Sequence, residues 1–189
     1  LANISLALLA ALIYWQGTMH AEQLRDVRLQ FSKLSSTDPV TNLPNRAKLH
    51  ERLTEALESD GPAPALMVIE LDGFKVVNDT LGHETGDELL KAVAMRVTSC
   101  LHDKDLLARV GGGEFAALIT RPDAEIRATQ TAQSIDEAMH APFRIGEDVV
   151  SMKANIGIAP TLKGEVPATE ILRRADVAMF AAKNDRQET

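Results

Sequence analysis

Two segments of the chain carry residues that could together bind a metal ion and a phosphate group. Glu70 and Asp72 lie at or near the end of an apolar run, and residues 111–113 are three consecutive glycines. Carboxylates at the end of a strand can hold a divalent cation, and exposed backbone N–H groups nearby favour phosphates. Each segment alone has a simpler interpretation, because acidic residues at a strand edge are mostly solvated and glycines mostly form ordinary turns.

Local sequence patterns predict the elements that would position these residues. The apolar run at 65–71 follows the loop Gly61-Pro62-Ala63-Pro64 and predicts a buried strand. The three glycines separate two apolar runs and predict a hairpin with a tight turn, because glycine allows positive φ angles and a close backbone approach to a ligand. A helix with apolar residues at 89, 90, 93 and 97 is predicted from about residue 84 to residue 100.

The remaining pattern completes an α/β (α+β) domain. It predicts helices at 47–57, 124–140 and 168–183, a short hairpin at 143–150 with Gly146 at its turn, and a strand at 152–158. Pro142 and Pro160 lie at element ends. The resulting β-α-β-β-α-β order predicts a ferredoxin-like fold in which a layer of helices covers a mixed sheet.

Five short motifs follow one another along the chain. They are D-P-V-T-N-L-P-N-R at 38–46, F-K-x-x-N-D-x-x-G-H-x-x-G-D at 74–87, R-V-G-G-G-E-F at 109–115, N-I-G-I-A at 155–159 and A-D-x-A-M-F-x-A-K at 175–183. In this order and at this spacing they resemble the GGDEF family, the diguanylate cyclases that make cyclic di-GMP. The resemblance extends from residue 36 to about residue 183 and implies the family's cyclase palm fold.

The resemblance also implies which residues would bind a guanine nucleotide. Asn78 and Asp87 stand at the positions that hydrogen-bond the guanine, His83 lies at the same site, and Lys183 resembles a lysine that reaches the phosphates. An amide and a carboxylate together offer the donors and acceptors that a guanine edge requires. Without the resemblance, the residues around Asn78 and His83 would be interpreted only as a turn into the next helix. The other implied nucleotide-binding residues are Phe74, Lys75, Gly111 and Gly112.

The departures from the family pattern concern the metal ion and the catalytic carboxylate. The resemblance implies Mg²⁺ binding by Glu70, by the backbone of Leu71 and by a carboxylate at the third signature position, where this chain has Gly113. In the family that carboxylate also helps to deprotonate the attacking hydroxyl of GTP, and losing one acid–base group typically costs about 10²–10⁴-fold in rate. Glu114 is a poor substitute because adjacent residues of a strand point to opposite faces. Glu70 is also one methylene longer than the usual aspartate. The catalytic set is therefore not intact, and Mg²⁺ binding is expected to be possible but weakened.

The family's product-inhibition site is degenerate as well. The family has Arg-x-x-Asp shortly before the glycines, and here Asp105 is present while His102 stands at the position of the arginine. Without a guanidinium group, bidentate recognition of a guanine base or a phosphate is lost. The sequence therefore predicts no feedback binding of cyclic di-GMP at this site, and His102 is interpreted as an exposed histidine at a helix end.

The chain is predicted to have three parts, of which residues 37–189 form the GGDEF domain. Residues 1–16 are apolar, but the uninterrupted run is too short for a bilayer, which needs about 20 residues. They are interpreted as the end of a transmembrane segment with Tyr14 and Trp15 at the interface, or as a buried helix. Residues 17–36 space Leu24, Val27, Phe31 and Leu34 three and four apart. This spacing predicts a stalk or coiled-coil signalling helix, or a helix packed on the chain's own domain.

Partners and location follow from these parts and from the composition. In the family such stalks pair two protomers, so a homodimer is expected, with the domain on the cytoplasmic side of an inner membrane. The net charge of −7 argues against nucleic acid as a partner, because no basic stripe exists to displace counterions. The single cysteine excludes an intrachain disulfide.

Three functions are compatible with the sequence. The first is a catalytically silent module that binds GTP or another guanine nucleotide and regulates a linked domain, such as the EAL phosphodiesterase often attached in this family. The second is a working diguanylate cyclase in which Glu70, Glu114 or water replaces the missing ligand. The third is a dimerisation scaffold that has lost nucleotide binding. The missing carboxylate at Gly113 favours the first.

Overall fold

The computed structural model describes residues 36–161 and 166–187. The predicted apolar segment at 1–16 and nearly all of the predicted stalk at 17–36 lie outside the described residues, so both stay predictions. Within the two described ranges, no helix is both long enough and apolar enough to cross a membrane.

Four strands form the central sheet, and all of their pairings are antiparallel. They are β1 (Ala65–Leu71), β2 (Leu106–Gly111), β3 (Glu114–Ile119) and β6 (Ala154–Pro160), in the order β2-β3-β1-β6. The ferredoxin-like order of elements is confirmed, but the prediction of a mixed sheet was wrong. Strands β1 and β2 do run in the same direction, as a β-α-β unit requires, but β3 lies between them and pairs with both.

Among the described residues, five helices pack around this sheet. They are α1 (Arg46–Glu58), α2 (Phe74–Leu81), α3 (His83–Cys100), α4 (Ala124–Met139) and α5 (Ala168–Gln187). Because side chains alternate along a strand, β1 contributes to two cores. Met67, Ile69 and Leu71 pack with residues of α3 and α4 on one face. Leu66 and Val68 pack with residues of α1 and α5 on the other face.

The largest difference from the predicted elements is helix α2. The predicted strand at 65–71 is found with those bounds, and the ends of the predicted helices lie within four residues of the observed ends. The strand predicted at 152–158 is found two residues later, at Ala154–Pro160. Residues 74–81 were interpreted only as part of the approach to the next helix, yet they form a separate helix. Gly73, with φ of +74°, precedes it, and Gly82, with φ of +88°, separates it from α3. These two left-handed glycines allow the chain to turn sharply at both ends of α2.

A small hairpin of β4 (Phe143–Ile145) and β5 (Asp148–Val150) follows α4, as predicted. Arg96 on α3 holds this region in place. Its guanidinium group donates hydrogen bonds to the carbonyl oxygens of Ala138 (3.3 Å), Pro142 (3.1 Å) and Ala141, and it lies 3.5 Å from the centre of the Phe143 ring. A cation at the C-terminal end of a helix is favourable because the last carbonyl groups there lack helical partners.

Candidate functional site

The tip of the β2–β3 hairpin is held by an arginine that also binds the start of the domain. The Arg109 guanidinium donates to the carbonyl oxygen of Gly112 from Nε (3.2 Å) and Nη2 (2.8 Å). Its Nη1 donates to both carboxylate oxygens of Asp38, at 3.0 and 3.1 Å. Gly112 has a φ of +42°, a left-handed conformation that favours glycine. The sequence placed Asp38 and Arg109 in motifs but did not show that they bind each other, since 71 residues separate them.

Asp38 is also the acceptor for a local turn. Thr41 donates to its Oδ1 from the hydroxyl (2.8 Å) and from the backbone N–H (2.9 Å). Burial alone would raise the pKa of Asp38, but the hydrogen bonds from Thr41 and Arg109 outweigh it and hold the pKa below the ordinary 3.8. Because its pKa is lower in the folded chain, the ionised carboxylate stabilises the fold above pH 3.8, and this stabilisation is lost on acidification below that value.

Replacing Asp38 tests this linkage. We expect Asp38→Asn to lower the free energy of unfolding by about 1.5–3 kcal/mol near neutral pH, the range for hydrogen bonds to charged groups. The difference from the unmodified chain should shrink as the pH falls below 3.8, because the native carboxylate is then protonated as well. Urea unfolding at a series of pH values measures both effects. The exposed Asp79 on α2 provides the control, Asp79→Asn, and a cost of Asp38→Asn that does not change with pH would contradict the assignment.

Gly113 lies against Phe74, the first residue of α2. A Cβ atom at Gly113 would lie 2.9 Å from Cβ and 3.0 Å from Cγ of Phe74, so one of the two residues would have to move by a few tenths of an ångström. The Gly113 carbonyl accepts a hydrogen bond from the N–H of Leu71 at 2.9 Å. The third signature position therefore adjoins both the end of β1 and the start of α2, although it has no side chain. Phe74 itself is 8% exposed.

Glu70, near the end of β1, is bound by Lys183. The Lys183 Nζ on α5 donates to both carboxylate oxygens of Glu70 at 3.0 Å, and the two side chains are 28% and 24% exposed. Glu114 stands opposite Glu70 on the neighbouring strand, so the two carboxylates share a face. Burial raises the pKa of Glu114, the negative charges of Asp176 and Glu70 raise it further, and Arg46 and Lys183 oppose the change.

These side chains do not fit the magnesium site that the family resemblance implies. Octahedral Mg²⁺ needs several oxygen ligands at short and nearly fixed distances. Among residues 36–161 and 166–187, no group of three or more His, Cys, Asp or Glu side chains is close enough to hold a metal ion. The third signature position has no side chain, and both oxygens of Glu70 already accept from Lys183.

The implied guanine-binding residues lie on α2 and α3, where the two helices meet. The half-buried Asn78 on α2 lies over Gly86 on α3, where an added Cβ would overlap the Asn78 side-chain oxygen and lie 3.0 Å from its Cγ. Asp87 follows Gly86 and is exposed, as are His83 and Lys75. Nothing in the described part of the chain forms a hydrogen bond with the side chain of Asn78 or Asp87. Their amide and carboxylate groups therefore keep their hydrogen-bonding capacity for a ligand.

The two residues of the degenerate inhibition site lie in the turn between α3 and β2. His102 is exposed and follows the end of α3, and its backbone N–H donates to Asp105 Oδ2 at 3.2 Å. The side chain of Asp105 is fully buried, and Arg121 donates to both of its oxygens at 3.1 and 2.9 Å. Arg121 was not singled out in the sequence. Asp105 is therefore committed to internal hydrogen bonds, and the loss of product binding at this site stays a prediction.

Comparison with known proteins adds an independent observation. The family described as "Diguanylate cyclase, GGDEF domain" matches residues 35–189. The chain is 36% identical over 181 residues to the diguanylate cyclase TpbB of Pseudomonas aeruginosa, covering 94% of this chain and 40% of TpbB. It is 38% identical over 159 residues to the cyclic di-GMP phosphodiesterase PdeR of Escherichia coli, covering 79% of this chain and 23% of PdeR. The chain thus spans less than half the length of these curated relatives.

Solved structures agree with the sequence matches. The GGDEF domain of PA1120 (TpbB or YfiN) from Pseudomonas aeruginosa superposes with a TM-score of 0.74 at 38% identity, covering 79% of this chain and 89% of that chain. The coiled coil and GGDEF domain of DgcB from Caulobacter crescentus, solved with c-di-GMP, superposes with a TM-score of 0.72 at 30% identity, covering 90% and 92%. Both relatives share the fold described above.

Proposed function

Because the chain belongs to the GGDEF family of diguanylate cyclase domains, we propose that it is a module of cyclic di-GMP signalling that binds guanine nucleotide without condensing it. The observation that carries this proposal is Gly113, which leaves the third signature position without a carboxylate. Phosphoryl transfer depends on cations that neutralise charge around the phosphates and on a positioned nucleophile. In this chain the group that would serve both purposes is missing.

The surroundings of Gly113 do not supply a replacement. Glu114 shares a face with Glu70, whereas a side chain at Gly113 would point toward Phe74. Both oxygens of Glu70 accept hydrogen bonds from Lys183. A carboxylate that is already neutralised by an ammonium group is a weaker ligand for a divalent cation, because the cation must first displace the ammonium. These contacts support the proposal that the domain does not synthesise cyclic di-GMP.

We propose that the domain still binds a nucleotide because the residues that the family resemblance assigns to the base are present in this chain. Asn78 and Asp87 lie on neighbouring helices, and the exposed Asp87 directly follows Gly86 within α3. A carboxylate can accept from the N–H groups of guanine, and an amide can both donate and accept. We propose GTP or another guanine nucleotide as the ligand, with His83, Lys75 and the hairpin backbone at Gly111 and Gly112 as further contacts.

The packing of Asn78 against Gly86 allows a test that leaves both ligand groups in the sequence. In Gly86→Ala the new methyl group would occupy the position of the Asn78 side-chain oxygen, so Asn78 must turn away. Alanine is the better helix former by about 0.8–1 kcal/mol, which offsets part of the packing cost. We expect the chain to stay folded while its affinity for GMP in calorimetric titration falls about tenfold, as for the loss of one good hydrogen bond to a charged or polar group. Unchanged affinity would show that the base does not meet Asn78 in this position.

The linked partner is also a proposal. PdeR is named a cyclic di-GMP phosphodiesterase, and MucR of Pseudomonas aeruginosa, 34% identical over 191 residues, is named a bifunctional diguanylate cyclase/cyclic di-GMP phosphodiesterase. Both names support a role in which nucleotide binding to this domain regulates a linked phosphodiesterase domain. We further propose that the protein is a homodimer through its N-terminal stalk and is anchored at a membrane on its cytoplasmic side.

One observation favours the alternative of an active cyclase. TpbB is named a diguanylate cyclase, and the chain is 36% identical to it over 181 residues. In such an enzyme Glu114, which stands opposite Glu70, would have to supply the missing oxygen ligand. The position of Gly113 against Phe74 argues against this arrangement, because a side chain built at Gly113 would meet Phe74, whereas Glu114 shares a face with Glu70.

Titration with GTP separates the proposed binding module from a scaffold. We expect heat of binding for the unmodified chain and at least about tenfold weaker binding for Asp87→Ala, because a charged hydrogen-bond acceptor is lost. Glu88→Ala is the matched control, since Glu88 is the next residue on the same helix and forms an exposed ion pair with Lys91. The absence of any heat at millimolar GTP would favour a dimerisation scaffold.

A further inference from the structure

The ion pair between Glu70 and Lys183 links the end of the central strand β1 to helix α5. The ammonium group lies 3.0 Å from each carboxylate oxygen, and three quarters of each side chain is removed from solvent, with exposed fractions of 28% and 24%. In this symmetric arrangement the Nζ atom lies equally close to both carboxylate oxygens, so both oxygens that would hold a cation already accept from the ammonium group. Charge-assisted contacts of this kind are stronger than neutral hydrogen bonds.

From this arrangement we propose that Lys183 takes the place of a divalent metal ion at Glu70. This inference rests on the proposed binding of guanine nucleotide. Nucleotide binding then needs no divalent cation and selects the guanine moiety rather than the triphosphate.

The charges around the ion pair explain why the triphosphate gains nothing. The charged groups described around Glu114, which stands opposite Glu70, include Glu70, Asp176, Lys183 and Arg46, and Glu114 itself adds a third carboxylate. Three carboxylates against two cations leave one negative charge in excess. Each additional phosphate adds negative charge, and like charges repel one another at short range. A phosphate would have to share the Lys183 ammonium with Glu70, because two of its three N–H groups already donate to the carboxylate oxygens. Drawing the ammonium away would leave the partly buried charge of Glu70 uncompensated.

The side chains proposed to bind the base differ from the ion pair because they have no hydrogen-bond partner within the described residues. No hydrogen bond within the described residues occupies the side chains of Asn78 or Asp87, whereas Glu70 and Lys183 satisfy each other. Metal coordination is not supported either, because the described ranges contain no group of three or more acidic, histidine or cysteine side chains suited to a metal ion. The groups that recognise guanine are therefore available for a ligand, and the groups that would recognise a metal-bound triphosphate are not.

Calorimetric titration with GMP, GDP and GTP, each in magnesium and in EDTA, tests the proposal. We expect the three dissociation constants to agree within about threefold, less than 1 kcal/mol, and EDTA to change each by no more than that. Binding of GTP at least about tenfold tighter than GMP in magnesium, and lost in EDTA, would overturn the inference while leaving the proposed function intact. Failure of all three nucleotides to bind would overturn both.

The Lys183→Met variant tests the role of the ammonium group directly. It frees Glu70 and raises the excess of negative charge, so we expect GTP binding by this variant to become dependent on magnesium, with at least a tenfold loss in EDTA. Lys48→Met is the matched control, because Lys48 forms an exposed ion pair with Glu51 on α1. Thermal unfolding of each variant confirms that it is folded. If EDTA leaves the dissociation constant of Lys183→Met for GTP unchanged, as expected for the unmodified chain, then Lys183 does not replace a metal ion.

Discussion

The Gly113→Asp variant is expected to synthesise cyclic di-GMP at a rate at least about 10²-fold above the background level to which the unmodified chain is confined, the lower end of the usual effect of one acid–base group. The new carboxylate would adjoin the end of β1, because the Gly113 carbonyl already accepts from the N–H of Leu71. The Cβ atom would lie 2.9 Å from Phe74 Cβ, so the hairpin tip or Phe74 must shift by a few tenths of an ångström. This adjustment and the ion pair between Lys183 and Glu70 limit the gain in cyclic di-GMP synthesis.

Adding Glu70→Asp to this variant should raise the activity further. A shorter carboxylate is less well placed for Lys183, and it restores the residue that the family uses as a metal ligand. Gly113→Asn is the matched control, because it adds the same bulk against Phe74 without a charge, and it should stay silent. Product formed in magnesium and GTP is measured by chromatography with mass detection. Equal activity of Gly113→Asp and Gly113→Asn, or no activity in a folded Gly113→Asp, would show that the missing carboxylate does not explain the silence.

The Gly157→Ala variant is expected to be destabilised by about 3 kcal/mol or more, at the upper end of overpacking effects. Gly157 on β6 lies directly beneath α5. A Cβ atom there would lie 2.5 Å from the Ala175 carbonyl oxygen and 2.6 Å from Met179 Cα, and closer still to the Met179 backbone nitrogen. These are backbone atoms of a helix, so they cannot rotate away, and α5 must lift from the sheet.

A displacement of α5 in Gly157→Ala would also change the candidate site, because α5 carries Lys183. Urea unfolding measures the stability of Gly157→Ala, and Gly61→Ala is the control, since a Cβ at Gly61 meets only the Ser59 side-chain oxygen, at 3.3 Å. The control should differ from the unmodified chain by less than about 1 kcal/mol. A Gly157→Ala variant as stable as the control would mean that the contact between α5 and β6 is looser than described here.

Periodicity in the sequence was sufficient for most of the fold. The strand at 65–71 could be predicted with its bounds because it is a short apolar run between a proline-rich loop and an acidic residue. The hairpin around the glycines and the long helices followed from alternating and helical spacing in the same way. These elements depend on local patterns of burial, and local patterns are visible in a sequence.

Helix α2 and the sheet pairing could not be predicted in this way. Residues 74–81 make a helix of only eight residues, with Asn78, Asp79 and Thr80 among them, and these are poor helix formers. Tertiary packing of Phe74 and the two flanking left-handed glycines determine this helix. The antiparallel pairing of the whole sheet depends on which strand inserts between β1 and β2, and no local pattern encodes that choice.

The candidate site shows the same division. Asn78, Asp87 and Gly113 could be singled out from motif spacing, because the resemblance assigns roles to those positions. The partners of the charged residues could not, since 113 residues separate Glu70 from Lys183 and 16 separate Asp105 from Arg121. A carboxylate in a sequence does not reveal whether it will meet a metal ion or an ammonium group. In the folded chain Glu70 meets an ammonium group, and this contact is the basis of the proposed nucleotide binding without metal.

Incubation of the unmodified chain with GTP and magnesium, followed by quantification of cyclic di-GMP, tests the claim that this domain does not condense GTP. The assay must include a known active diguanylate cyclase as a positive control and must follow the fate of GTP as well as the product. We predict that GTP is recovered intact and that no cyclic di-GMP forms above the level of an enzyme-free sample. Sustained turnover to cyclic di-GMP by the unmodified chain would contradict the claim, because it would require a catalytic carboxylate that Gly113 does not provide.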